Sequence, residues 1–139
     1  MELGAALDFA RRRHQGVLAT HRRDGRPQMS NISYWLGDDE KVRISVTDSR
    51  AKTKNVARDP RASLYVPSDD FWSYCVLDGD VELMPVASEP DDATVDALVE
   101  YYRALSGEHP DWDEYRQAMI DDGRLLLVLT PTHAYGMLT

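Results

Sequence analysis

The stretch Gly16-Val17-Leu18-Ala19-Thr20, the dipeptide Asp24-Gly25 and the run from Pro27 to Leu36 decide the fold. A short apolar run, a turn pair that accepts the positive backbone angles of a tight hairpin, and a second extended run predict a β-hairpin. Gly37-Asp38-Asp39 marks another turn. Val42, Ile44 and Val46 then alternate with Arg43, Ser45 and Thr47, which predicts a strand with one buried and one polar face. Three antiparallel strands are thus expected first. A short amphipathic helix precedes them, with Arg11 to Arg13 following its apolar residues.

Downstream, Arg50 to Pro60 reads as one or two helical turns stopped by Pro60, because a residue before proline is pushed out of the helical region. Ala62 to Val66 predicts a strand, and Trp72 to Leu83 a longer one, bulged or bent near Asp78-Gly79. Ser88 is the expected cap of a helix with Pro90 in its first turn and Asp91 and Asp92 near its positive end. Val95, Leu98, Val99 and Tyr102 share one face of that helix, and Gly107 ends it. Asp111 to Ile120 forms another helix, with Trp112, Tyr115 and Met119 on one side and Gly123 as terminator. Leu125 to Leu129 is a buried strand running toward Tyr135-Gly136. The predicted class is α+β, built round a closed or partly closed antiparallel sheet, with residues 1–139 as one domain.

With 42% hydrophobic and 29% charged residues over 139 positions, the chain has the composition of a globular protein. Leu125 to Leu129, its longest apolar run, falls far short of the ~20 residues of a membrane span, and the N-terminal charges are in the reverse order of a secretory signal. Cys75 is the lone cysteine, so a cytoplasmic location is expected. A net charge of -8 excludes general attraction to nucleic acid or acidic membrane, so an anion must be held by a local cluster. One such cluster exists. Arg50, Lys52, Lys54, Arg58 and Arg61 are opposed only by Asp59. Arg50, Lys52 and Thr53 beside a helix N-terminus would make a phosphate site, and the same pattern also describes a solvated basic face.

Other candidates carry less. His14, His21, His109 and His133 lack the spacing of a metal site, so no metal is expected. Glu108, Asp111, Asp113 and Glu114 suit a helix start. No Gly-x-Ser-x-Gly elbow, phosphate loop or Gly-x-Gly-x-x-Gly fingerprint occurs, and Cys75 reads as a packed thiol, so no catalytic side chain is singled out. Phe71, Trp72 and Tyr74 suit a core, a dimer interface or a flat wall against a ring. Gln28, Ser30, Asn31 and Ser33 suit a solvated strand face or a ligand wall.

Taken in order, Gly16 to Thr20, Asp24 to Asn31, Arg50-Ala-Lys-Thr-Lys-Asn55 and Asp59-Pro-Arg-Ala-Ser63 resemble the flavin and deazaflavin oxidoreductase superfamily. More narrowly, they resemble the actinobacterial branch related to pyridoxamine 5′-phosphate oxidase that uses coenzyme F-420. Trp72-Ser-Tyr74, Pro90-Asp-Asp92, Asp111-Trp-Asp113 and His133-Ala-Tyr-Gly136 extend the likeness over nearly the whole chain. The resemblance implies an FMN-binding split β-barrel fold with peripheral helices, a homodimer, and cofactor sites at the subunit interface. It implies that Arg50, Lys52 and Lys54 meet the cofactor phosphate with Ser45 and Thr53 nearby, that Pro27, Gln28, Met29, Ser30 and Asn31 line the ring, and that Trp72 reaches across from the partner. The implied activity is hydride transfer from reduced F-420 to an unsaturated small molecule: an enone, quinone or tetrapyrrole. An FMN-dependent oxidase and a non-catalytic F-420 carrier are the alternatives.

Overall fold

Alternation of apolar side chains builds one strongly curled sheet. In the computed structural model, which describes residues 1–139, the order is α1 (Leu3–Arg11), β1 (Gln15–His21), β2 (Pro27–Ser33), β3 (Trp35–Leu36), β4 (Val42–Thr47), α2 (Ala51–Arg58), β5 (Arg61–Pro67), β6 (Tyr74–Leu83), α3 (Ala93–Ser106), α4 (Trp112–Asp121) and β7 (Arg124–Met137). The seven strands form one antiparallel sheet in the order β2-β1-β5-β6-β7-β4-β3. Its two outermost strands are consecutive pieces of the run Pro27 to Leu36, so the sheet must curl until its ends meet. This is a split barrel.

The expected continuous strand therefore divides at Tyr34, and β4 lies beside β7 rather than beside β2. The cause is a change of partner. The Tyr34 N–H makes the last bond toward the β1 side, to His14 O at 2.8 Å, while Trp35 already pairs with Arg43 of β4. The side chain of Tyr34 is fully buried, and its hydroxyl donates to Ala10 O at 2.6 Å, tying α1 to this corner.

Inward positions of the strands, among them Leu18, Ile44, Val46, Leu64, Leu77, Leu127 and Leu129, pack with Ala6, Leu7, Phe9 and Ala10 of α1. On the other face of β7, Leu126 packs against Val95, Leu98, Val99 and Tyr115 of α3 and α4. Burial on both faces explains why Leu125 to Leu129 reads as an unbroken apolar run. No helix is long and apolar enough to cross a membrane.

The bulge expected near Asp78-Gly79 is present as a register shift between β6 and β7. The expected cap at Ser88 is corrected. Asp92 caps α3 instead, with Oδ1 accepting from Val95 N–H at 2.7 Å and Oδ2 from Ser88 N–H and Glu89 N–H. One ionised carboxylate satisfies three backbone donors here, which a single hydroxyl cannot. Pro90 lies outside the helix, and β6 begins at Tyr74, leaving Phe71 and Trp72 on the preceding loop.

Candidate functional site

Where β2 and β4 diverge, the barrel leaves a wedge. The Arg22 N–H bonds to Arg26 O, so the exchanged pairs of the β1–β2 ladder fall at Gln28, Ser30 and Ile32. The N–H and C=O groups of Met29, Asn31 and Ser33 consequently point away from β1, along a free edge. Likewise, the Asp48 N–H bonds to Gly123 O, which turns the backbone groups of Ser45 and Thr47 away from β7. The apex of the wedge is Tyr34. Its mouth lies between Pro27 and Thr47, where α2 begins.

Tyr101 of α3 stitches the two edges near the apex. Its hydroxyl donates to Ser33 O at 2.9 Å. Burial pushes its pKa up, and the Ser45 N–H approaches the same oxygen closely enough to oppose that rise. Tyr101→Phe is expected to cost about 1–3 kcal/mol in urea unfolding, because the Ser33 carbonyl loses its partner in a partly buried place.

The mouth collects cations. Burial first, then Arg50 and Arg124, hold the Lys52 ammonium below its ordinary pKa. None of Arg50, Lys52, Lys54 or Arg124 belongs to an ion pair. Positive groups from the α2 start and the β7 start thus crowd together with no carboxylate in ion-pair contact, an arrangement that favours an anion arriving from outside. Arg124 is not among the sequence candidates; it comes to the site because Thr47 pairs with Arg124 across the β4–β7 ladder. Its only sequence signal is a lone arginine between the Gly123 terminator and the apolar run.

The other expected site residues separate. Thr53 is buried, and its hydroxyl donates to Thr47 O at 2.7 Å, so it anchors α2 and is not a spare donor. Lys54 is exposed, one position round the helix from Thr53. Ser45 is half-buried beside Tyr101. The pleat divides the run at Pro27–Asn31: Gln28 and Ser30 turn toward the barrel opposite Thr20 and Leu18, while Pro27, Met29 and Asn31 turn outward. Trp72 is 76% exposed on a loop fixed by Asp70, which accepts from Ser68 Oγ at 2.7 Å and from Trp72 N–H at 3.1 Å.

Concavities border this wedge only at Asn31 and Ser33. One of 650 Å³ includes Arg12, Arg13, Ser33 and Leu105, and one of 430 Å³ includes Val17, Asn31 and Ile32. A third, of 590 Å³, lies at the other end of α2 among Arg22, Arg23, Arg58 and Arg61. There Arg22 pairs with Asp24 and Arg61 with Asp59, leaving Arg23 and Arg58 without carboxylate partners.

Among solved structures, an F-420 reductase matches with a TM-score of 0.69 at 25% identity, covering 92% of this chain and 94% of that one. A conserved hypothetical protein from Mycobacterium tuberculosis gives a TM-score of 0.75 at 19% identity, covering 98% and 84%. A heme-binding protein from Mycobacterium smegmatis gives 0.65 at 21% identity, covering 99% of this chain and 55% of that one. These last two share the fold alone. The family model described as pyridoxamine 5′-phosphate oxidase matches residues 4–138. With that match running over almost every residue of the split barrel, the chain belongs to the pyridoxamine 5′-phosphate oxidase family, whose members bind flavin or deazaflavin cofactors.

Proposed function

We propose that this protein is an F-420-dependent oxidoreductase that passes hydride from the reduced deazaflavin to an unsaturated small molecule of the enone, quinone or tetrapyrrole type. The observation that carries the reading is the convergence of unpaired Arg50, Lys52 and Arg124 at the mouth of a wedge with a free strand edge. A phosphate-bearing, flat heteroaromatic ring fits both features. Arg50 and Lys52, with Arg124 and the exposed Lys54, hold the phosphate; the free backbone groups of Met29 and Asn31 meet the polar rim of the ring. Pro27 to Asn31 bind and orient the ring, and the walls of the wedge shield it from water. When bound, the cofactor supplies the hydride. No side chain of this chain is assigned as the proton donor.

F-420 is preferred to FMN on two grounds. One neighbour at 25% identity is an F-420 reductase. The arginine cluster at the far end of α2 also suits a cofactor whose polyglutamate tail continues beyond the phosphate as a polyanion, which FMN lacks. An FMN-dependent oxidase is the competing reading, favoured by the description of the family. A cytoplasmic location accompanies either reading.

A homodimer is part of the proposal. The outward face of β2, β1, β5, β6 and the end of β7 presents Met29 (61% exposed), Tyr135 (49%) and Met137 (59%) with no helix over them. Phe71 and Trp72 stand beside that face, and Phe71 is held at φ 70°, a conformation that costs a non-glycine residue about 1–3 kcal/mol. A second copy covering this face would bring Trp72 to its partner's ring.

Fluorescence titration of the purified chain with F-420 and with FMN tests the cofactor. Tighter binding of F-420, growing with the number of glutamates and weakening in salt, is expected. Arg23→Ala should reduce that tail-length dependence and leave FMN binding unchanged. Preference for FMN overturns the F-420 reading, and a reduced cofactor that no acceptor in a panel of enones, quinones and tetrapyrroles reoxidises would identify a carrier.

A further inference from the structure

We infer that the trough running from Asn31 past Ser33 to Arg12 and Arg13 is the substrate subsite, and that it takes an apolar unsaturated molecule bearing one carboxylate or equivalent anionic group. This rests on the reading of β2 as the strand beside the ring. The 430 Å³ concavity begins at Asn31 and Ile32 on that strand, and it shares Gln15, Ser33 and Pro67 with the 650 Å³ concavity, so the two form one passage. Val17 and Pro67 give its near half apolar walls, while the Ile32 side chain packs inward on the barrel core. Its far end is closed by the C-terminal end of α1 and by Leu105 of α3.

Charge pairing sets the polarity of that far end. The Asp8 carboxylate is taken by Arg11. Arg12 gives Nε to the Asp8 carbonyl at 3.3 Å and meets no carboxylate. Arg13 lies 3.7 Å over the Phe9 ring and donates to Phe9 O at 2.9 Å, again without a carboxylate partner. The carbonyls of the last α1 turn thus hold both guanidinium groups in place before any ligand arrives, which lowers the ordering cost of binding. Asp69 is on the wall and Asp70 beside it lies near enough to feel Arg13, but neither carboxylate pairs with Arg12 or Arg13, so both guanidinium groups keep free N–H donors. One anionic group on the ligand takes those donors. The arginine cluster at the far end of α2 differs in kind, because Pro60 is the one apolar side chain lining it.

The test is an equilibrium fluorescence titration of the full chain with 2-naphthoate and with its neutral counterpart 2-naphthalenemethanol, each with and without oxidised F-420. Naphthoate is expected to bind at least roughly 10-fold tighter than the alcohol, and Arg12→Gln to weaken naphthoate by roughly 5- to 20-fold while leaving the alcohol unchanged. Arg12 is exposed and bonded only to a backbone carbonyl, so this variant is expected to fold. No naphthoate binding, equal affinity for the two probes, or wild-type naphthoate affinity in both Arg12→Gln and Arg13→Gln overturns the inference. The F-420 titration of the same samples is a separate arm: naphthoate binding kept while F-420 binding fails refutes the cofactor reading and leaves the anionic subsite standing.

Discussion

Lys52→Met is expected to weaken cofactor binding by roughly 10- to 100-fold while leaving the melting temperature unchanged or higher. The two effects have one cause. Burial, Arg50 and Arg124 all disfavour the charged form of Lys52 in the folded chain, where no carboxylate compensates it. That repulsion is an expense of the folded state, recovered when an anion arrives. Because the pKa of Lys52 is depressed below its ordinary 10.5, the folded chain releases this proton before the unfolded chain does. Between the two values the unfolded state binds more protons, so stability rises with pH there, and below both values the penalty is fully present. The wild type should therefore gain stability as pH rises toward that of free lysine, and Lys52→Met should lack that gain. Bound phosphate should flatten the wild-type profile in the same way by restoring the proton. Titration with F-420 and FMN, alongside thermal unfolding between neutral pH and pH ~10, checks both halves. A methionine variant that binds at full strength, or that melts well below the wild type, removes Lys52 from the phosphate site.

The parts of this site that were legible in the sequence are those written locally. A turn dipeptide, a two-residue alternation and a proline after a basic run are enough for the β1–β2 hairpin, β4 and α2, because each rests on conformational preferences of neighbouring residues. The wedge was not legible. It depends on Tyr34 ending one ladder and Trp35 starting another, and alternation continues through such a change of partner without a mark. Arg124 joins Lys52 only once β7 lies beside β4, a pairing that no local pattern announces. Tyr101 is hidden for a related reason: the apolar spacing of α3 points to Tyr102, whereas the more deeply buried ring is Tyr101, turned toward the barrel edge. The resemblance treats Pro27 to Asn31 as one ring-lining unit. Its pleat splits the side chains between two faces, so the edge it offers a ligand is mainly backbone.

Gly79→Ala is expected to cost about 3 kcal/mol or more, a large share of the 5–15 kcal/mol that such a domain has in total, and to lower the urea midpoint accordingly. A methyl group on Gly79 would overlap the Thr130 carbonyl oxygen and stand 2.8 Å from its carbon, and both are backbone atoms that cannot rotate aside. The contact is close because the chain must be bulged at this point. Along β6 the inward residues Cys75, Leu77, Val81 and Leu83 keep one parity. Along β7 the inward residues change parity, from Ala134 near one end to Leu129, Leu127 and Leu125 near the other. A two-residue pleat cannot do this unless one residue is passed over. Thr132 is that residue: Asp78 pairs with His133 and Gly79 with Pro131, leaving Thr132 unpaired. The bulge therefore lets one strand face the core at both of its ends. If Gly79→Ala unfolds within about 1 kcal/mol of the wild type, the bulge relaxes readily around an added methyl group. If it is strongly destabilised, deleting Thr132 should be worse still, because a one-residue slip turns Leu125, Leu127 and Leu129 out of the core.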